Sequence, residues 1–265
     1  MDDAQFELTP EEAAESITTR LEIIMDAEAL ARVRDARVLV LGLGGVGSAC
    51  AMSLARGGVG HLVLLDRDVV KPSNINRQVV ARTSTIGRVK AEVMRELVLD
   101  VNPEADVLAV HEYLASEDVA AQLDALPRPD FVVDAIDTIA QKLRIAAWAQ
   151  ERGVRLVSSM GAANKLDPTQ LRFADISKTS HDPMSKIMRK ECRKRGIKKL
   201  QVLYAPEPPL PVERPEGVPQ EGRVPDKGTI LGTMSYLPPV MGLMLASHVI
   251  RELAWPGTGR PEAHA

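Results

Sequence analysis

Arg37-Val38-Leu39-Val40-Leu41 runs without a break into Gly42-Leu43-Gly44-Gly45-Val46-Gly47, and His61-Leu62-Val63-Leu64-Leu65 ends on Asp66. Both flanking runs are short and apolar, the pattern of strands buried on both faces of a parallel sheet. The glycines follow G-x-G-x-x-G with one extra glycine. This turn lets backbone approach a phosphate and, with 48–57 reading as a helix, aims amide N–H groups at it. Strand, glycine turn, helix, strand and acid form one βαβ unit, in which Asp66 is placed to accept from ribose hydroxyls.

The alternation continues outward. Residues 89–101 have helical spacing and stop near Asn102-Pro103, 106–111 read as a strand, and 116–126 as a helix that Ser116 would cap. A fourth strand, 131–135, carries Asp134, with Asp137 just beyond; 138–152 is a helix stopped by Gly153, and 155–159 a fifth strand. This order predicts an α/β, Rossmann-like, doubly wound and mostly parallel sheet with helices on both faces. Further on, 171–175 reads as a strand, 183–195 as a basic helix and 239–253 as an apolar helix. Between them, 205–228 is a Pro-rich loop with prolines at 206, 208, 209, 211, 215, 219 and 225. Residues 1–19 read as an N-terminal extension, 20–255 as one domain and 256–265 as a tail; 10–34 look mostly helical, with Thr9 as N-cap.

Of the 265 residues 45% are hydrophobic, enough to bury one large α/β core. A net charge of -3 gives no global pull toward nucleic acid, so a polyanion must be met by a local patch. The two cysteines, Cys50 and Cys192, form no C-x-x-C pair and read as reduced thiols of a cytoplasmic protein. The first residues, Met1-Asp2-Asp3-Ala4-Gln5, lack the basic and apolar regions of a signal peptide. The uncharged runs 38–55 and 228–250 reach spanning length, but their glycines and prolines favour buried elements, and no transmembrane segment is expected.

The glycine turn and Asp66 alone fit a dinucleotide as well as ATP. The next segment separates the two. Asp66-Arg67-Asp68 is followed by Ser73-Asn74-Ile75-Asn76-Arg77-Gln78, with Lys90 thirteen residues after Arg77. A triphosphate has use for this cluster. Arg77 and Lys90 are fixed cations against departing pyrophosphate, and Asn74 and Gln78 can hold sugar or phosphate oxygens. Asp134 and Asp137 sit where strand ends meet a ligand crevice, and either can hold Mg²⁺ together with phosphate oxygens. The plainer reading of Asp137 is an N-cap for the helix that follows.

The set G-x-G-G-x-G, D-x-D, S-N-x-N-R-Q, a lysine thirteen residues on, and D-A-x-D resembles the ThiF/MoeB/HesA adenylating family, small relatives of ubiquitin-activating enzymes. Asp167-Pro168-Thr169-Gln170, Ala174-Asp175-Ile176-Ser177-Lys178-Thr179 and Asp182-Pro183-Met184 look like its tRNA threonylcarbamoyladenosine dehydratase branch, and so does the stretch from Gly232 to Ser247-His248. The resemblance implies ATP-dependent adenylation of the threonyl carboxylate of that nucleoside in tRNA, followed by ring closure with release of AMP. It implies a phosphate loop at Gly42, Gly44, Gly45 and Gly47 and ribose binding by Asp66, with Asp68 and Asp134 beside the nucleotide. ATP contacts then fall to Asn74, Arg77, Gln78 and Lys90, with Arg77 and Lys90 catalytic and Asp137 the magnesium-linked catalytic acid. A homodimer, a sulfur-transfer protein partner and a monovalent cation are further family associations. Two departures stand out. The R-x-x-R pair near the N-terminus, linked with action across a dimer, is incomplete, because Arg20 is followed by Leu21-Glu22-Ile23. Where some dehydratases carry a cysteine, this chain has Lys227.

The stretch 186–199 holds Lys186, Arg189, Lys190, Arg193, Lys194, Arg195, Lys198 and Lys199 against one acid, Glu191. Such a basic segment suits an RNA backbone, with only Tyr204 nearby for stacking; a solvated helix face is the simpler reading. Cys192 lies inside it, where cations would lower its pKa. His181 and His248 have no ligand-like partners nearby. Met234, Met241 and Met244, with Leu237, Leu243 and Leu245, suit a core or a dimer face. Three rivals remain. Activation of a ubiquitin-like or sulfur-carrier protein is disfavoured by the missing C-x-x-C pairs. The others are a non-catalytic nucleotide-binding scaffold and an NAD-dependent oxidoreductase.

Overall fold

The computed structural model describes residues 8–115, 117–213 and 231–259. Thr9 caps a single helical turn, α1 (Pro10–Ala13), through a capping box with Glu12, as its sequence predicts. Turns follow, then α2 (Ala27–Asp35), capped by Asp26. The βαβ unit forms as β1 (Arg37–Leu41), α3 (Gly45–Arg56) and β2 (His61–Leu65). Next come α4 (Lys90–Val101), β3 (Asp106–Val110), α5 (Val119–Asp124), β4 (Phe131–Asp134), α6 (Ile139–Arg152) and β5 (Arg155–Ser159). The remainder is β6 (Arg172–Asp175), α7 (Pro183–Lys194), β7 (Gln201–Tyr204) and α8 (Leu237–Ala254). Ser116, expected to cap α5, lies outside the described residues, as do the prolines at 215, 219 and 225 and Lys227.

The seven strands form one sheet in the order β3-β2-β1-β4-β5-β7-β6. All neighbours run parallel except β6, which pairs antiparallel with β7 at the edge. Within β1 the side chains alternate. Val38 and Val40 pack with Leu54 of α3 and Met241 and Leu245 of α8, while Leu39 and Leu41 pack with Leu123 of α5 and Ile145 of α6. Period-2 alternation with both sets apolar is what a doubly wound sheet requires. Gly153 ends α6 in the left-handed conformation (φ 63°), as expected for a helix stop. The run 38–55 thus divides into a strand and a helix. Leu237, Met241 and Leu245 of α8 are core residues, whereas Leu243 and Met234 are exposed. No helix of the described residues is long and apolar enough to cross a membrane.

Strand β7 is the element its sequence concealed. Gln201–Tyr204 follows a run of cations, and only four residues pair. Its place between β5 and β6 buries Tyr204 to 3% exposure, which removes it as a stacking platform for RNA.

His248 on α8 lies between Phe131 (centroids 5.9 Å apart, edge-on) and Phe173 (4.9 Å). Burial pushes its pKa below the ordinary 6.5. The unfolded chain then binds the proton more readily, so this site's contribution to stability is present above about pH 6.5 and is lost as the pH falls below it. Replacing His248 with Phe removes the titration. Tm measured at about pH 7.5 and 5.5 is expected to fall more with acid for the wild type than for the variant. Parallel falls would refute the assignment.

Candidate active site

The glycine turn is shaped by close approach. Gly42 has φ +86°, a region open to glycine, and a side chain there would meet Ala135 O at 2.9 Å. A Cβ on Gly47 would lie 1.7 Å from Gly42 O, so α3 begins flat against the turn. This packing role takes Gly47 out of the crevice lining, away from the phosphate contact expected for it. Gly44 caps α3 with no side-chain hydrogen bond, which leaves the first amides of the helix for an anion. Gly45 touches the Arg77 stem and Pro238, and a Cβ there would be 3.2 and 2.8 Å from them.

Asp66 is buried beneath the turn. Its Oδ2 accepts from Leu43 N at 2.6 Å and its Oδ1 from Asp68 N at 2.7 Å. Burial pushes its carboxyl above the usual carboxylate range, with the Lys90 cation and the two backbone N–H groups opposing. Lys90, 5% exposed at the start of α4, reaches Asp68 Oδ2 at 3.3 Å. Asn74 is buried in a single 3-10 turn, where its Oδ1 accepts from Lys71 N at 3.0 Å. Arg77 donates from Nη1 to Ser73 O (3.0 Å) and Asn76 Oδ1 (2.9 Å), leaving Nε and Nη2 for other acceptors. Gln78 is buried with Oε1 unpartnered. An orphaned acceptor costs free energy unless a ligand or water supplies a donor.

All of these except Gly47 line one cavity of about 730 Å³, which extends to Asp137, Ser159–Lys165 and Asp182–Met184. The triphosphate cluster and the strand-end acid therefore converge. The two acids of Asp134-Ala135-Ile136-Asp137 separate. Asp134 does not line the cavity. Its carboxylate, 1% exposed, pairs with Lys142 Nζ at 3.0 Å and accepts from Ser158 Oγ at 2.7 Å. Its expected place beside the nucleotide is corrected to a buried ion pair behind the cavity floor, because the last strand residue points under α6. Asp137, beyond the strand end, is exposed to the cavity and accepts only weakly from Thr138 Oγ1 at 3.3 Å. Thr138 is the N-cap of α6, so capping does not account for Asp137. Among the described residues no three His, Cys, Asp or Glu side chains cluster for a metal. Mg²⁺, which is content with one carboxylate plus phosphate and water oxygens, suits Asp137 nonetheless.

Lys165 and Asp182 also line the cavity, although no sequence motif marks either as a site residue. Only the small-residue stretch Gly161-Ala162-Ala163 ahead of Lys165 signalled a close approach there. His181 and Arg20 lie outside this lining.

The basic segment divides as well. Lys186, Lys190, Arg193 and Lys194 are exposed along α7, and Lys198 and Lys199 are exposed beyond it. Arg189 instead donates to Thr179 O at 2.6 Å, while Lys194 and Arg195 flank Glu191 at 2.9 and 3.7 Å. Cys192 points into the core, and burial pushes its thiol up to about 11, against the weaker pull of Arg195. The cations around it therefore do not activate it.

A model of the ThiF family matches residues 16–264. The chain belongs to the ThiF family. Among its relatives, the tRNA threonylcarbamoyladenosine dehydratase of Bacillus subtilis (strain 168) is 39% identical over 239 residues, covering 89% of this chain and 93% of that protein. The Escherichia coli tRNA N6-threonylcarbamoyladenosine dehydratase solved with ATP superposes with a TM-score of 0.75 at 29% identity, over 89% of this chain and 91% of its own. The same protein with AMP gives 0.77 at 28%, over 94% and 97%. Membership of the ThiF family thus accounts for the sheet and for a crevice at the ends of β1, β2 and β4, the place where ligands bind in open α/β sheets.

Proposed function

We propose that this ThiF-family chain uses ATP to adenylate the threonyl carboxylate of threonylcarbamoyladenosine in tRNA, and then closes the ring with loss of AMP. The observation that carries the reading is the convergence of Arg77, Lys90 and Asp137 on the cavity that holds the glycine turn. The dehydratase relatives favour this acceptor over a carrier protein's C-terminus.

ATP lies with its phosphates on the turn and its ribose toward Asp66. The acceptor carboxylate attacks the α-phosphorus and the bond to the bridging oxygen breaks. Arg77 and Lys90 stabilise the charge that builds on pyrophosphate. Asp137, together with phosphate oxygens, would hold Mg²⁺, which would supply further charge neutralisation. The acyl adenylate is then attacked by a nucleophile of the same modified base, which loses its proton as AMP leaves. An internal nucleophile has an effective molarity of roughly 10⁵–10⁸ M. No covalent thiol is needed, and both Cys50 and Cys192 are buried.

The reading extends to a cytoplasmic homodimer. Ile23 and Ile24 are 75% and 67% exposed beside Arg20 and suit a subunit contact. A sulfur-transfer partner and a monovalent cation remain as family associations. Mass spectrometry of tRNA nucleosides from cells with and without the gene tests the function, and an unchanged dehydrated nucleoside on deletion would defeat it.

The exposed face of α7 is the proposed RNA contact. Reversing Arg193, Lys194 and Arg195 to Glu is expected to weaken tRNA binding by about 10-fold or more at physiological salt and to flatten its salt dependence, while leaving ATP affinity unchanged. A filter-binding titration at several salt concentrations measures both. Unaltered tRNA affinity would assign the segment to solvation alone.

A further inference from the structure

The crevice has two walls, and the nucleotide accounts for one. The turn, Asp66, Arg77 and Lys90 belong to the ends of β1 and β2 and the segments after them. Across β4, the end of β5, the loop after it and the start of α7 build the other wall through Met160, Gly161, Lys165, Asp182 and Met184. Strands about 4.8 Å apart place a group over β5 roughly 10 Å from β1.

Lys165 and Asp182 are each 2% exposed. Lys165 Nζ lies 2.5 Å from Asp182 Oδ2 and donates to Ala205 O at 2.8 Å. Asp182 Oδ1 accepts from Ser185 N at 2.6 Å, capping α7. A Cβ on Gly161 would sit 3.8 Å from Asp182 Oδ2, so this carboxylate abuts the small-residue wall. One ion pair therefore ties together the loop after β5, the chain leaving β7 and the first turn of α7. A buried pair is a poor source of stability compared with packed apolar groups of the same size. What it supplies here is geometry, because Nζ must meet Oδ2 and Ala205 O at once. From that anchored turn α7 runs 12 residues with Lys186, Lys190, Arg193 and Lys194 spaced along one exposed side.

We propose that Lys165 and Asp182 are positioning residues for the acceptor step: the pair sets where α7, and RNA seated on it, presents the carboxylate to the α-phosphate. This rests on the reading above that the acceptor is a tRNA carboxylate. In this reading the pair acts through α7 and not at the reacting atoms, while Arg77 and Lys90 on the opposite wall meet ATP.

The test is the double variant Lys165→Met/Asp182→Asn. It keeps side-chain size, leaves no lone buried charge, and retains an Asn oxygen to cap Ser185. Turnover of tRNA bearing threonylcarbamoyladenosine is expected to show kcat lower by about 10²-fold, the effect of a small misplacement. KM for the tRNA and Kd for ATP stay within about 3-fold of wild type. Asp182→Asn alone would leave the Lys165 ammonium buried without its counter-charge, so the double variant carries the test. A kcat within about 3-fold of wild type overturns the proposal, and so does an ATP affinity that falls as far as kcat. A wild type that exchanges pyrophosphate into ATP yet leaves the tRNA nucleoside unaltered overturns the functional reading instead, and the inference with it.

Discussion

Arg77→Ala is expected to lower ATP–pyrophosphate exchange by about 10²–10³-fold, the loss seen when one preorganised group that meets transition-state charge is removed. The guanidinium is held in advance by Ser73 O and Asn76 Oδ1, and its stem lies against Gly45, so little reorganises when phosphate charge develops. Because Arg77 is half-buried and makes no ion pair among the described residues, thermal stability is expected to change little. Lys in its place restores charge but not the planar fork, and recovers only part of the rate. Exchange kinetics beside a thermal melt decide the matter, and a variant of wild-type rate would remove Arg77 from the catalytic machinery.

Lys142→Met is expected to destabilise the fold by about 3–5 kcal/mol without altering any group that lines the crevice. The change leaves the Asp134 carboxylate buried at 1% exposure, with Ser158 Oγ and Ile136 N as its remaining donors. An uncompensated charge at that depth is what makes breaking a buried pair so damaging. Adding Asp134→Asn removes the charge, keeps an oxygen for Ile136 N and turns an NH2 toward Ser158 Oγ, which can accept once Lys142 is gone, so the double variant recovers most of the loss. Urea unfolding of the two variants measures this, and a single variant as stable as the double would show that the carboxylate is not strongly dependent on its partner.

Much of the site was legible because its parts lie close together along the chain. The glycine turn, Asp66, Arg77 and Lys90 belong to one βαβ unit and the segments directly after it, where the chain's own connectivity delivers them to the strand ends. Asp134 and Asp137 were not separable by sequence, since both sit at a strand end. Which one met solvent depended on how α6 crosses back over β4. The basic segment was visible as charge, but the engagement of Arg189 by Thr179 and the burial of Tyr204 and Cys192 were not.

From sequence alone followed the alternating elements, the parallel sheet, the glycine turn and the cations that line the same cavity, because each is written in local period, spacing and residue type. Only the tertiary structure decided the pairing of β7 between β5 and β6, the withdrawal of Asp134 to Lys142, and the joining of Lys165 to Asp182. These depend on distant segments meeting in a low-dielectric interior, where a charge must find a partner and a short strand becomes stable only once its neighbours exist.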